Sequence, residues 1–393
     1  MIPIVSLLPV VNAQQKLVGL TPQFLKGDQD SYSYLLSVLQ QVDFLDRLSP
    51  LFLLLRVENP ATLPNDFADR YLGKNLVLSI PEYHLADKEL QTKVSHFCEQ
   101  GMRVIVDDFD SKASLVWSGT KGIMVDCSNG VPSHVQPWLF SLQNSQHIAK
   151  NLKSLAQQQT ALNAGFSLFS GDFAFHPSNS QKSGDASARA RLLKLLNLVS
   201  RDADVKDLEA LFKQDASLSF MLFKIVSSAA FAQTVKVTSF VQAINLLGRR
   251  QLQRWLQLLL YARQGDQGST LNPLLLRAAF RASAMEAYCR QKGGSRDEQD
   301  AAFMVGMFSL LDLLFATPLW EILKPLNLPE PIALALLERE GVLGQFLNVV
   351  EKADRADAVS LPDILNAQSI DAGVYYENMV YAYAWVNQVC QDL

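Results

Sequence analysis

In the stretch RVIVDDFDSKAS, Arg103 to Ser114, three β-branched apolar residues lead into paired aspartates, Asp107 and Asp108, and then a turn-like segment. A barrel strand delivers carboxylates to a metal ion or a phosphate ester in this way. Metal-assisted attack on a phosphodiester needs further groups: more oxygen ligands, a base or metal-bound hydroxide, and a cation for the developing charge. The other strand ends are where those partners should lie. LVGLTPQFL offers Thr21 and Gln23, LFLLLRVEN offers Arg56 and then Glu58, and LVLSIPEYH offers Ser79 with Glu82 further out. GIMVDC offers Asp126, and IAKNLKS places Lys150 and Lys153 where an anion could be held. The clear strand-end acids, Asp107, Asp108 and Asp126, come from only two adjacent strands, a thin shell for a divalent ion.

The elements that must carry these residues fall into two halves. From Met1 to about Phe175 short β-type runs alternate with helix-capable segments: IPIVSLLPVV, KLVGL, PLFLLLRV, NLVLSI, RVIVDDF, GIMVDC and FSLFSG are the strand candidates. Continuous apolar strands separated by amphipathic helices indicate a parallel sheet buried on both faces, here with enough units for a (β/α) barrel. The segment from His176 to Arg189, HPSNSQKSGDASAR, contains Ser, Gly and Pro and lacks large apolar residues, so residues 177–189 read as a linker between a barrel at 1–176 and a second domain at 190–393. After it the period is helical. Leu192, Leu195, Leu196 and Val199 form one stripe, Asp202 or Asp204 can cap VKDLEALFKQ, and Ser217, just after Asp215, lies at the start of LSFMLFKIVSSAAFA. Thr238 or Ser239 opens FVQAINLLG, which Gly248 closes. The fold class is therefore multidomain, an α/β TIM-like barrel followed by an all-α domain.

At 393 residues with 49% hydrophobic and 19% charged residues, the chain is globular and long enough for two domains. A net charge of −4 argues against a DNA or RNA partner. Cys98, Cys127, Cys289 and Cys390 are scattered with no CxxC pair, which fits reduced thiols rather than a disulfide framework or a zinc site. The apolar N-terminus lacks a basic region and carries Pro3 and Pro9. No run reaches the roughly 18 uninterrupted apolar residues of a membrane span, so the chain is expected to be cytoplasmic.

The first half, roughly residues 1–175, resembles an EAL domain, the cyclic di-GMP phosphodiesterase barrel of bacterial signalling, by strand order and by the DDF segment. The resemblance places Thr21 at the namesake glutamate, with Pro22 and Gln23 after it, and the next glutamate at Ser79; the family's metal-binding asparagine has no counterpart in LFLLLRV. It retains the aspartate pair as Asp107 and Asp108, followed by Asp110 in place of a glycine. The catalytic lysine corresponds to Met124, leaving Asp126 alone, the late glutamates to Lys150 and Lys153, and the closing glutamine to Ser170. The second half resembles an HDOD domain, a relative of the HD metal phosphohydrolases, through LFKQDASLSFMLFKIVSSAAFAQTVKVTSFVQAINLLG. Asp215 is in place, Ala216 stands for the proline and Ser227 for the asparagine. The His-Asp doublet of active HD enzymes reads Ser309-Leu310, and His84, His96, His134, His147 and His176 all precede the helical half. A degenerate EAL domain followed by HDOD is the YuxH-like two-domain type.

These substitutions imply a bacterial signalling protein that is not an enzyme, with no catalytic, cofactor-binding or metal-binding residues, Asp107, Asp108 and Asp126 being vestigial. No cofactor is expected. The partners implied are other signalling proteins, through protein–protein contacts, and binding of cyclic di-GMP is not favoured. The alternatives are a sensor that binds cyclic di-GMP without hydrolysing it and, more remotely, a residual phosphodiesterase. Bland roles compete at each position. Asp107 and Asp108 can pair with Lys150, SSAAFA can serve close helix packing, and GRRQLQR can form a solvated face or meet an acidic partner. Tyr376, Val380, Tyr381 and Trp385 can pack a last helix on its own domain.

Overall fold

The computed structural model describes residues 5–23, 43–110, 119–142, 145–176, 186–215, 218–219, 222, 226, 239–262, 271–357 and 359–392. Eight strands form one sheet: β1 Ser6–Asn12, β2 Leu17–Gln23, β3 Phe52–Arg56, β4 Leu76–Pro81, β5 Arg103–Asp107, β6 Met124–Asp126, β7 Ile148–Leu152 and β8 Leu168–Gly171. Their order is β5-β4-β3-β2-β1-β8-β7-β6. The two edges meet through the parallel bridge Val106–Ile123, with Val106 N donating to Gly122 O and Phe109 N to Met124 O, so the sheet curls into a barrel. The segment IAKNL, absent from the strand candidates above, is the strand β7.

One feature departs from an all-parallel sheet. β1 runs antiparallel to both β2 and β8. The reason is local: Asn12 Oδ1 accepts from the backbone N–H groups of Gln14 and Lys16, both at 3.0 Å, closing a tight hairpin. A connection that short can join only antiparallel strands. The remaining strand pairs are parallel, with helices between them such as α1 Lys88–Glu99, capped by the Asp87 carboxylate, and α2 Leu155–Ala164, capped by Ser154 and ended by Gly165 at φ 111°.

Alternation along the strands sorts side chains into an inside and an outside. Val10, Phe52, Leu54, Val77, Ile105, Met124, Ile148 and Leu168 form a separate apolar layer inside the barrel. Two residues further toward the carboxyl ends, the same inward series continues as Arg56, Ser79, Asp107, Asp126, Lys150 and Ser170. The barrel thus has a dry floor and a polar mouth.

The helical half comprises α3 Ala186–Ser200, α4 Val205–Phe212, α5 Phe240–Leu247, α6 Arg249–Ala262, α7 Pro273–Gln291, α8 Arg296–Phe308, α9 Glu330–Leu337, α10 Gly341–Asp354 and α11 Ala372–Asp392, with shorter turns between. The caps read from the sequence are present: Asp204 accepts from Lys206 N, Ser239 from Gln242 N, and Gly248 closes α5. Ser217, Thr238 and the SSAAFA segment lie outside the described residues, as does the stretch read as a linker up to residue 185. Among the described residues no helix is long and apolar enough to cross a membrane.

The two halves share one hydrophobic core. Helix α11 sends three tyrosine hydroxyls to β1: Tyr375 Oη donates to Val5 O at 3.1 Å, Tyr383 Oη to Leu7 O at 2.6 Å, and Val5 N donates to Tyr376 Oη at 3.1 Å. β8 pairs with β1 only at Val11 and Asn12, so these tyrosines take the backbone groups that β8 does not reach. From α7, Arg277 Nη2 donates to Gly171 O at 3.0 Å, at the end of β8.

Candidate functional site at the barrel mouth

Parallel strands in register bring Arg56, Ser79, Asp107, Asp126 and Lys150 to one end of the barrel. Asp107 is fully buried and sits at the centre. Its Oδ2 accepts from Arg56 Nη1 at 2.7 Å and Ser79 Oγ at 2.9 Å; its Oδ1 accepts from Lys150 Nζ at 2.6 Å and from Asp108 N at 2.6 Å. Asp108, with φ 47°, turns back over the same cations and meets Lys150 Nζ at 2.5 Å and Arg56 Nη2 at 2.8 Å. Glu58 closes the outer edge against Arg56 Nε at 2.5 Å, and Tyr83 Oη donates to Glu58. Two cations therefore face three carboxylates.

Burial opposes charge at Arg56, Glu58 and Asp108, but the partners outweigh it. Partial desolvation works against the Arg56 guanidinium, yet hydrogen bonds to Glu58 and Asp108 and the charge of Asp107 hold its pKa above the ordinary value. Desolvation likewise raises the Asp108 carboxyl, and hydrogen bonds from Arg56 and Lys150 reverse this and keep it below the usual range.

The remaining candidates are placed apart from this cluster. Asp126 lies beside Lys150 in register but accepts from Ser128 N and Asn151 Nδ2, both at 2.8 Å. Met124 belongs to the apolar floor and Ser170 is buried on β8. Lys153 is exposed beyond β7. Thr21 stands opposite Leu8 on β2. Asp110 pairs with His134 at 3.0 Å, away from the aspartate pair. Among the described residues no three His, Cys, Asp or Glu side chains are grouped to hold a metal. The residues present do not fit a divalent cation, because both oxygens of Asp107 are already taken by donors, two of them cationic.

Arg56 is the residue that sequence reasoning undervalued. Its signal was the alternation Phe52, Leu54, Arg56, which puts its side chain inside the barrel one layer above the floor. In the helical half, Asp215 accepts from Leu218 N at 3.0 Å and meets Arg191 at 3.3 Å. Ser309, at the doublet position, is buried and accepts from Arg281 Nη1 at 3.1 Å. In the basic run GRRQLQR, Arg250 and Arg254 share Asp300, and Arg254 also meets Glu286, while Arg250 reaches the exposed Asp297 as well. Trp385 packs edge-on against Phe303 and Tyr381 lies under Arg290, within their own domain.

Residues 187–317 match the family model of the HDOD domain. The chain is 23% identical over 410 aligned residues, 97% of its length and 91% of that protein's, to the cyclic di-GMP phosphodiesterase CdgJ of Vibrio cholerae. It is 25% identical over 62% of its length, and 59% of that protein's, to the uncharacterized protein YuxH of Bacillus subtilis. Solved structures similar to it include the EAL domain of Xanthomonas citri FimX in complex with c-diGMP (16% identity, 44% of this chain, 86% of that one, TM-score 0.36). Another is the EAL enzyme Bd1971 bound to cAMP and cyclic di-GMP (11% identity, 43% and 60%, TM-score 0.36). Both superpose too loosely to bear on the site.

The expectation that the chain is not an enzyme is overturned by the relation to CdgJ, a named phosphodiesterase aligned over nearly the whole chain. That expectation matched motif letters to strand ends one at a time. A barrel tolerates a shift of such an alignment along a strand, so a count of missing letters does not exclude a reaction. The HDOD match at 187–317 lies behind the eight-stranded barrel, so the chain is a barrel followed by a helical half that carries an HDOD domain.

Proposed function

We propose that this protein works in cyclic di-GMP signalling. The barrel, residues 1–176, takes the cyclic dinucleotide at its mouth, and the helical domain, residues 190–393, passes the bound state to other signalling proteins by direct contact. The observation that carries this reading is the alignment with CdgJ over 97% of the chain, which includes both halves in the same order. The mouth supports it chemically. Ligands of such barrels sit at the carboxyl ends of the strands, where Arg56 and Lys150 present cations of the kind that hold phosphate oxygens.

The docking of the two halves gives the bound state a way out of the barrel. Ser170, in the inward series at the mouth, is followed by Gly171, whose carbonyl is held by Arg277 of α7. Gly171 has φ 146°, and a Cβ there would lie 2.3 Å from Leu152 O, so the end of β8 has no room to shift independently. Calorimetry with cyclic di-GMP tests the reading. A saturable heat is the outcome expected, and its absence at high micromolar protein would sink the assignment. Chromatography of the same mixtures, with Mg²⁺ or Mn²⁺ added, shows whether linear product forms as the name of CdgJ suggests. Pull-downs with and without the nucleotide test the second half of the proposal, which fails if the set of captured proteins does not change.

A further inference from the structure

We infer that Arg56 and Lys150 occupy the place of a divalent cation in this mouth, so that it holds its phosphodiester ligand without a metal. The identity of the ligand rests on the cyclic di-GMP reading; the exclusion of the cation rests on the geometry alone. Asp107 is the only carboxylate of the cluster that is fully buried, and so the only one fixed in place by its surroundings. Its four acceptor contacts are filled by Arg56, Ser79, Lys150 and the backbone of Asp108. A divalent ion needs several oxygen lone pairs turned toward it. Here the lone pairs of the anchor already point at donors, and an incoming ion would meet the Arg56 and Lys150 cations at close range. Asp126, the nearest further acid on the neighbouring strand, is turned toward Ser128 N and Asn151.

The same arrangement is suited to an anion. Asp108 and Glu58 are exposed, at 42% and 48%, and bind the cations from the solvent side, whereas Asp107 holds them from below. A phosphodiester oxygen that displaces Asp108 or Glu58 inherits a guanidinium edge and an ammonium already fixed by Asp107. Among the described residues, Arg56 Nη1 spends one N–H on Asp107 and keeps another, and Lys150 has a donor beyond its two carboxylates. Such preset donors cost little reorganisation when the anion arrives.

Two measurements on the full chain test this. In the first, Mn²⁺ is titrated into the protein and the spin-resonance signal of the free ion is followed. An undiminished signal is expected, and loss of signal at sub-millimolar Mn²⁺ overturns the inference whatever the ligand. In the second, cyclic di-GMP is titrated in EDTA and again in Mg²⁺. The dissociation constants should agree within about twofold, and a requirement for Mg²⁺ of about tenfold or more refutes the inference. Lys150→Met and Arg56→Gln should each weaken binding by about tenfold or more, with Arg56→Lys retaining part of it. Circular dichroism checks that these variants fold, and the wild-type arms decide the matter if one does not. No heat in either buffer rejects the cyclic di-GMP reading alone, and the Mn²⁺ arm still judges the cation.

Discussion

Asp108 shows how one residue's backbone and charge are used together. Its φ of 47° lies in the left-handed region, which bends the chain back over the mouth and lets the carboxylate reach both Arg56 and Lys150. Because its folded pKa is depressed below the unfolded value, its contribution to stability is full above the unfolded carboxylate pKa and fades as pH falls through the folded one. Asparagine tolerates the same backbone, so Asp108→Asn removes the charge without forcing the turn. The variant should be less stable than wild type in urea at pH 7, and the gap should close as the pH is lowered toward 3. A gap that persists in acid would show that the loss is steric. At this scale the sequence was informative about identity and silent about pairing. Asp107, Asp108 and Lys150 all stand at strand ends in the sequence, and their pairing is compatible with it. That Arg56 completes the cluster depends on β3 and β5 both bonding to β4, a neighbourhood that no local spacing encodes.

At the scale of elements, the period-2 and period-3.6 patterns located most strands and helices, because those patterns are the burial requirement itself. What they missed was direction. β1 reads as one more buried strand, and only the Asn12 turn reveals that it runs backward. Its consequence lies far away in sequence. The reversed strand extends past β8 and needs partners for Val5 and Leu7, which α11 supplies through Tyr375, Tyr376 and Tyr383. The sequence reading packs Tyr376 on its own domain; its hydroxyl instead joins those of Tyr375 and Tyr383 in finishing the barrel. Removing the Tyr383 hydroxyl leaves the Leu7 carbonyl unpaired in a buried setting, so Tyr383→Phe should cost about 1–3 kcal/mol in urea unfolding. Tyr381→Phe on the same helix, where the ring supports Arg290 at 4.1 Å, should change stability by less than about 0.5 kcal/mol. Equal losses in the two variants would argue that the hydroxyl contacts contribute nothing.

For the whole molecule, the decisive feature is a buried charge network at the junction of the halves. Asp354 at the end of α10 is fully buried and meets Arg277 Nη1 at 3.1 Å and Arg281 Nε at 2.7 Å. Arg281 reaches Ser309 and Glu351, Arg277 reaches Gly171 O, and the ring of Phe175 faces Arg277, Arg281 and Arg355 at 5.0–5.8 Å. Two arginines taken out of water against one shared aspartate make the junction depend on that carboxylate. Asp354→Ala would take the carboxylate from Arg277 and leave Arg281 with Glu351 alone, and a loss of about 3–5 kcal/mol is expected. Replacing all three by apolar residues of similar size, as Asp354→Leu with Arg277→Met and Arg281→Met, should recover most of that loss, because no buried charge is then left unpaired. Since barrel and helices share one core, heating should melt wild type in a single calorimetric transition, with enthalpy matching its van't Hoff value. Asp354→Ala should lower the midpoint and split the transition, as the halves lose their common anchor. Two peaks in the wild type, or an unsplit transition in Asp354→Ala at an unchanged midpoint, would mean that the junction does not couple the domains.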